Sequence, residues 1–315
     1  MPGTLSGILA LLTGQAPLFM AAGVLVGLTL PDLAAVFRPA VVPVSILMVV
    51  VSMLRVEPGR LFATLRRPVF VTLAGLFALM ALPLGVALLA TGFGAPAWLA
   101  AGLAYAAAAP PLSSSAAFAI LVRIEPATVT AVSLPATLLA PLTVWAVTQI
   151  APGLETGIDI TALVLRLSAI ILGAFGFALL LRWIVGARRV RRWGQPLDAA
   201  IVGLVVLIGI GVMHDIGGAM RTDLTGWIGI FLATWGLNLA SLLLGVLVFW
   251  PFGRDAAFAT GLCAAIKNMA VMVAAVLGTV DPRIALVVVT AQLPIFFSPL
   301  LMRPFFARLR RVGTV

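Results

Sequence analysis

Long apolar runs, separated by proline, glycine and short charged gaps, fill this chain from end to end. A hydrocarbon core about 30 Å thick takes about 20 apolar residues per helix. Set against that length, the runs predict ten spans, near 8–30, 36–54, 68–91, 96–122, 127–150, 160–186, 196–214, 226–250, 256–278 and 283–303. A shorter first span beginning near Gln15 fits as well. Two spans interrupt themselves. The fourth contains Ala109-Pro110-Pro111-Leu112-Ser113-Ser114-Ser115, and a proline pair removes backbone donors and clashes with the preceding turn. The ninth carries the polar pair Lys267-Asn268 in an otherwise apolar stretch. With five spans per half, both interruptions fall in the fourth span of their half. Matching interruptions in matching positions are the layout of an inverted-repeat transporter with its site near the midplane. The expected architecture is therefore an all-α polytopic membrane protein. It is a single domain over 1–315, with a first repeat at about 1–150 and a second at about 157–310, crossing at broken helices four and nine.

Composition agrees. Of 315 residues, 63% are hydrophobic and 10% charged, where a soluble domain has roughly 25% charged residues. The net charge is +10, and its 20 basic residues, set against 10 acidic ones, are 19 arginines and one lysine. A basic balance can serve nucleic acid or an anionic membrane face. These arginines lie in short gaps between apolar runs, which favours the membrane and excludes a nucleic-acid partner. They cluster as Arg55, Arg60, Arg66 and Arg67; as Arg182, Arg188, Arg189, Arg191 and Arg192; and as Arg303, Arg308, Arg310 and Arg311, with Arg123 and Arg254 in two further gaps. Ten alternating spans put all five groups on one side, and the positive-inside rule makes that side, with both termini, cytoplasmic. Nine spans would strand the tail. A bacterial inner membrane is the expected location, and the early apolar run reads as a first span rather than a cleaved leader.

Few residues can carry chemistry. Lys267 is the only lysine and lies about midway along the ninth span. A charge at that depth costs on the order of 2.5–3.5 kcal/mol on insertion scales, and such a residue is a functional candidate by default. No Asp or Glu falls well inside a predicted span, so its partner is an anionic substrate, water, backbone carbonyls, or a proton that comes and goes. Asn268 adjoins it, and Cys263 stands one helical turn before it. Ser113, Ser114 and Ser115 can satisfy carbonyls freed by the proline pair or line a site. Thr130, Ser133 and Thr137 share a face of the fifth span, where helix packing explains them equally well. His214, the only histidine, reads as an interfacial residue beside Asp215, and Arg166 as a side chain snorkelling outward. One His and one Cys make no metal site. No Ser/His/Asp set or carboxylate pair exists for an enzyme, and no cofactor is expected.

Several stretches look like a known family. Met48–Pro68, with its Arg55-Val56-Glu57-Pro58-Gly59-Arg60 turn, resembles the loop after the second span of the bile acid:sodium symporter family. The run from Pro110 to Arg123, and on to Pro141, keeps that family's spacing without a gap. Lys267-Asn268 stands where the family usually has Gln-Asn. The resemblance covers nearly the whole chain. It implies a core bundle and a panel bundle that rock against each other. It also implies a sodium site that this chain has lost. By the family's spacing Ser115 keeps a serine ligand, while Ala116 replaces an asparagine, Cys263 a glutamate, Lys267 a glutamine, and Ala78 a third-span glutamine. What the resemblance implies is a sodium-independent transporter of a small organic anion, such as a bile acid-like compound, keto acid or related carboxylate. Lys267 would then be either a fixed charge in place of the cation or a proton carrier. An arsenite- or auxin-efflux-type relative, and a non-transporting membrane receptor or sensor, are the alternatives. Monomer and homodimer both remain open.

Overall fold

The computed structural model describes residues 2–55, 67–112, 124–151 and 159–297. The protein is an all-helical membrane protein, with no strand among those residues. Among the described residues, six helices are long and apolar enough to cross a bilayer: α3 (Pro31–Arg55), α4 (Pro68–Gly92), α6 (Pro126–Ile150), α7 (Ile160–Val185), α9 (Gly194–Thr222) and α10 (Leu224–Phe252). Shorter helices are α1 (Pro2–Gly14), α2 (Ala16–Thr29), α5 (Ala97–Ala108), the six-residue α8 (Ala187–Arg192), α11 (Arg254–Ala265), α12 (Met269–Val276) and α13 (Pro282–Phe297).

Three boundaries differ from the sequence expectation, each for a physical reason. The expected 8–30 span is two helices meeting at Gln15, because Pro17 sits in a first turn, where its missing N–H costs nothing. The second span begins at Pro31 rather than 36, since Pro31 again starts the helix and Asp32 suits its N-terminal turn. The seventh does not stop at His214: α9 runs on to Thr222. Asp215 sits within it at no great cost because Arg38 of α3 lies 2.8 Å away. His214 is exposed, as an interfacial residue would be.

Arg38–Asp215 has a counterpart. Arg55 donates to both carboxylate oxygens of Asp198 at 2.8 and 2.9 Å, a bidentate fork. Arg38 to Arg55 and Asp198 to Asp215 are both steps of 17 residues, so α3 and α9 run antiparallel in constant register. At 1.5 Å per residue the two pairs stand about 26 Å apart, close to the thickness of a hydrocarbon core. They therefore mark its two edges.

Between those edges, packing relies on small residues that let backbones touch, since lipid supplies no hydrophobic drive to bring helices together. The α10–α11 crossing is a tight case. A Cβ on Gly245 would lie 2.6 Å from Gly261 Cα, and one on Gly261 would lie 2.7 Å from Leu242 O. α12 lies between α3, α7 and α13, and every one of its side chains is buried.

Gly245→Val is expected to lower the unfolding free energy by about 1–3 kcal/mol through overpacking. Gly236→Ala, on the same helix with open space around it, should be neutral or slightly stabilising. Thermal unfolding in detergent measures both. Equal losses would mean that the crossing is not tight.

Candidate functional site

The two interrupted helices meet at their breaks. α5 ends at Ala108 and α11 at Ala265, after which each chain leaves the helix for an extended segment. Leu112 N–H donates to Ile266 O at 2.9 Å, and Asn268 N–H donates to Pro110 O at 2.7 Å. These bonds flank an antiparallel pair formed by Pro111 and Lys267. The register suits the sequence. In an antiparallel ladder, alternate opposed pairs exchange no bonds with each other. Proline has no N–H to donate, so Pro111 belongs at such a position. Its carbonyl points away from Lys267 and lies 3.2 Å from Thr137 Oγ1, which also donates to Ser133 O at 2.7 Å.

The breaks leave carbonyls over. The helical donors for Ala106 O and Ala107 O would be the nitrogens of Pro110 and Pro111, which carry no hydrogen, and Ala108 O loses Leu112 N–H to Ile266. On α11 the same exchange takes Asn268 N–H from Ala264 O, while Ala265 O accepts from Asn238 Nδ2 of α10 at 2.8 Å. Two helix C-termini, each a partial negative charge, thus converge on this point.

A side-chain donor completes the arrangement. The Lys267 amine is buried, and its Nζ donates to Ala78 O at 2.9 Å. Ala78 lies in a π turn, Phe77–Ala81, inside α4. Its α-helical donor, Leu82 N–H, goes to Phe77 O instead, and the next position is Pro83, which has no donor. The π turn and proline together leave one acceptor for the lysine, a common use of π turns at functional sites. Beside Lys267 is a cavity of about 20 Å3 bordered by Ala106, Ala107, Asn238, Ser241 and Ala264, the size of one water.

The other sequence candidates fall as follows. Asn268 is buried at the start of α12, and neither its Oδ1 nor its Nδ2 has a hydrogen-bond partner among the described residues. Cys263 is buried on α11 with Sγ 3.7 Å from Val129 O of α6. Its helical spacing to Lys267 is not realised, because α11 ends at Ala265 before Lys267 is reached. Ser133 is buried next to Thr137, while Thr130 turns back to Pro126 O and is only half-buried. Ser113, Ser114 and Ser115 lie outside the described residues. Arg166 is tied to the loop after α12 by a bond from Nη1 to Leu277 O. Asn238 was missed by the sequence reading. Its signal was the polar series Thr234, Asn238 and Ser241, at steps of four and three on an apolar span, all three bordering the cavity.

No protein-family model matches this chain, and no curated protein sequence does.

Replacing Asn238 by Leu leaves Ala265 O without its donor, and the expected cost is about 1–3 kcal/mol. Chemical denaturation in mixed micelles reads it. Wild-type stability in that variant would show that the carbonyl does not depend on Asn238.

Proposed function

We propose that the protein is a secondary transporter of a small organic anion, working by alternating access without sodium. In this reading it is a ten-span, inverted-repeat relative of the bile acid:sodium symporters in a bacterial inner membrane, with both termini cytoplasmic. The observation that carries the reading is the crossing of two interrupted helices around a buried lysine. Broken helices with irregular backbone at membrane depth are tolerated only inside protein or along a cavity, and in transporters they form the substrate and ion sites.

The spacing of the helices supports the repeat. The starts of α10, α11 and α13 follow those of α4, α5 and α6 by 156, 157 and 156 residues, and α5 and α11 are both 12 residues long. An offset of five spans inverts the second unit relative to the first. The ends of α5 and α11 then enter from opposite faces and meet halfway.

Lys267 supplies the function's charge. Its ammonium occupies a place bordered by carbonyls and helix C-termini, which suits a cation of any origin. A tethered cation there excludes a free one by repulsion, and among the described residues no carboxylate stands beside it to bind sodium. Asn268, whose side chain has donor and acceptor both unspent, is positioned to contact substrate; Ser113, Ser114 and Ser115 complete the proposed site from the other break, with Ser133 and Thr137 supporting it and Cys263 marking the lost carboxylate.

Uptake of a panel of bile acids, keto acids and other small carboxylates into proteoliposomes is expected to be the same in sodium as in choline at fixed ionic strength. A steep, sigmoidal sodium requirement would overturn the reading. Substitutions of Lys267 test the charge itself. Lys267→Arg should keep substrate exchange, because a guanidinium stays protonated and still donates. Lys267→Ala should lose at least about tenfold in rate, the effect of roughly 1.4 kcal/mol in the barrier. Accumulation driven by an imposed pH gradient is expected to be absent in wild type if the charge is fixed; strong pH-driven accumulation lost in Lys267→Arg would make the lysine the proton carrier instead. Unchanged transport in Lys267→Ala removes it from the mechanism.

A further inference from the structure

Between α7 and α9 the chain makes a basic helix that the transport reading does not use. α7 ends at Val185, and Gly186 follows with a φ of 89°, a left-handed conformation open to glycine; the turn redirects the chain into α8, Ala187–Arg192. Four of its six residues are arginines: Arg188, Arg189, Arg191 and Arg192, all exposed. The fifth, Val190, is 2% exposed. At 100° per residue the arginines cover an arc of about 160°, and Val190 stands opposite its centre. One apolar side chain pins the helix to the protein, against α3 and α9, and the whole free face is cationic.

The level of α8 relative to the bilayer is fixed by its neighbours. Arg182, at the end of α7, donates to Leu54 O at 3.2 Å. Arg55 pairs with Asp198, and its Nη1 lies 3.1 Å from where a Cβ of Gly194 would stand, just beyond α8. This is the end of the molecule opposite Arg38–Asp215, so α8 lies at one edge of the hydrocarbon layer. Two indoles flank it: Trp183 is 82% exposed on the last turn of α7, and Trp193 is 39% exposed immediately after α8. Indole rings settle at the headgroup level of a bilayer. Among the described residues no carboxylate pairs with the four arginines.

We propose that α8 is a docking site for anionic phospholipid headgroups. The guanidinium arc matches phosphodiester oxygens in charge and in fork geometry, and Trp183 and Trp193 mark the depth at which those phosphates lie. A bound lipid would fasten the α7–α9 connection to the membrane surface. The site is independent of what the protein transports.

The test is thermal unfolding of the full chain in an uncharged detergent, with phosphatidylglycerol or phosphatidylcholine added. Phosphatidylglycerol is expected to raise Tm by several degrees more than phosphatidylcholine. The quadruple change Arg188→Gln, Arg189→Gln, Arg191→Gln and Arg192→Gln should remove most of that difference, while the corresponding four lysine substitutions should keep part of it. Should the glutamine variant fail to fold, native mass spectrometry of the wild type decides: phosphatidylglycerol should be retained over phosphatidylcholine at low salt and lost at high salt. Equal stabilisation by the two lipids, a full difference in a folded glutamine variant, or salt-independent retention would overturn the proposal. A shift of the same size from inorganic phosphate alone would also overturn it, by making α8 a small-anion site.

Discussion

Every backbone polar group inside a bilayer must find its partner within the protein. The rest of this structure follows from that constraint at one place, where two helices break at the same depth. Neither break is tolerable alone. Pro110 and Pro111 withhold two donors from α5, and the turn at Ile266–Asn268 withdraws donors from α11. Set against each other, the breaks exchange two hydrogen bonds through Leu112 and Asn268, and neighbours supply more: Asn238 to Ala265 O and Thr137 to Pro111 O. Each extra donor comes from a different helix. The crossing therefore fixes where α6 and α10 must pack as well as α5 and α11.

That same accounting explains a buried lysine with no carboxylate near it among the described residues. An ammonium in hydrocarbon is expensive, and a buried salt bridge would exchange one desolvation cost for two. Carbonyl oxygens that have lost their helical donors need a donor in any case. The Ala78 carbonyl, released by the π turn and Pro83, takes one N–H of Lys267, and the ends of α5 and α11 lower the potential around its Nζ. Lysine and broken helices thus offset each other's cost, which a neutral side chain at 267 would do only in part.

Rare residues made the crossing legible in the sequence. A proline pair and a single lysine in apolar surroundings have few readings, and both fell at the breaks. Long apolar runs likewise fixed the helical membrane class. Other features have no local signature. The π turn at Phe77–Ala81 is written in wholly apolar letters, with only Pro83 as a trace. The Arg38–Asp215 and Arg55–Asp198 pairs join residues more than 140 positions apart, so the reach of α9 past His214 could not be read from α9 alone. Cys263 shows the opposite failure: a spacing of four implied a shared helix face, but a helix that ends two residues later cancels the inference. Asn238 has no local signature of its own, since an amide on an apolar span serves packing as readily as a site.

Under the proposed reading, a covalently attached charge changes what the site can do. A dissociable cation couples transport to its gradient because it is bound on one side and released on the other, so the empty site is part of the cycle. Lys267 cannot leave, and its charge moves with the protein. A site filled in this way keeps the electrostatic benefit of a cation, namely attraction of an anionic substrate and satisfaction of the free carbonyls. It gives up the work a gradient would contribute. Net accumulation then has to come from the substrate's own gradient or from exchange with a second anion, unless the lysine itself gains and loses a proton. The absence of an intramembrane carboxylate near Lys267 among the described residues weighs against a relay and toward exchange; what adjoins the lysine there is the small cavity bordered by Asn238 and Ser241.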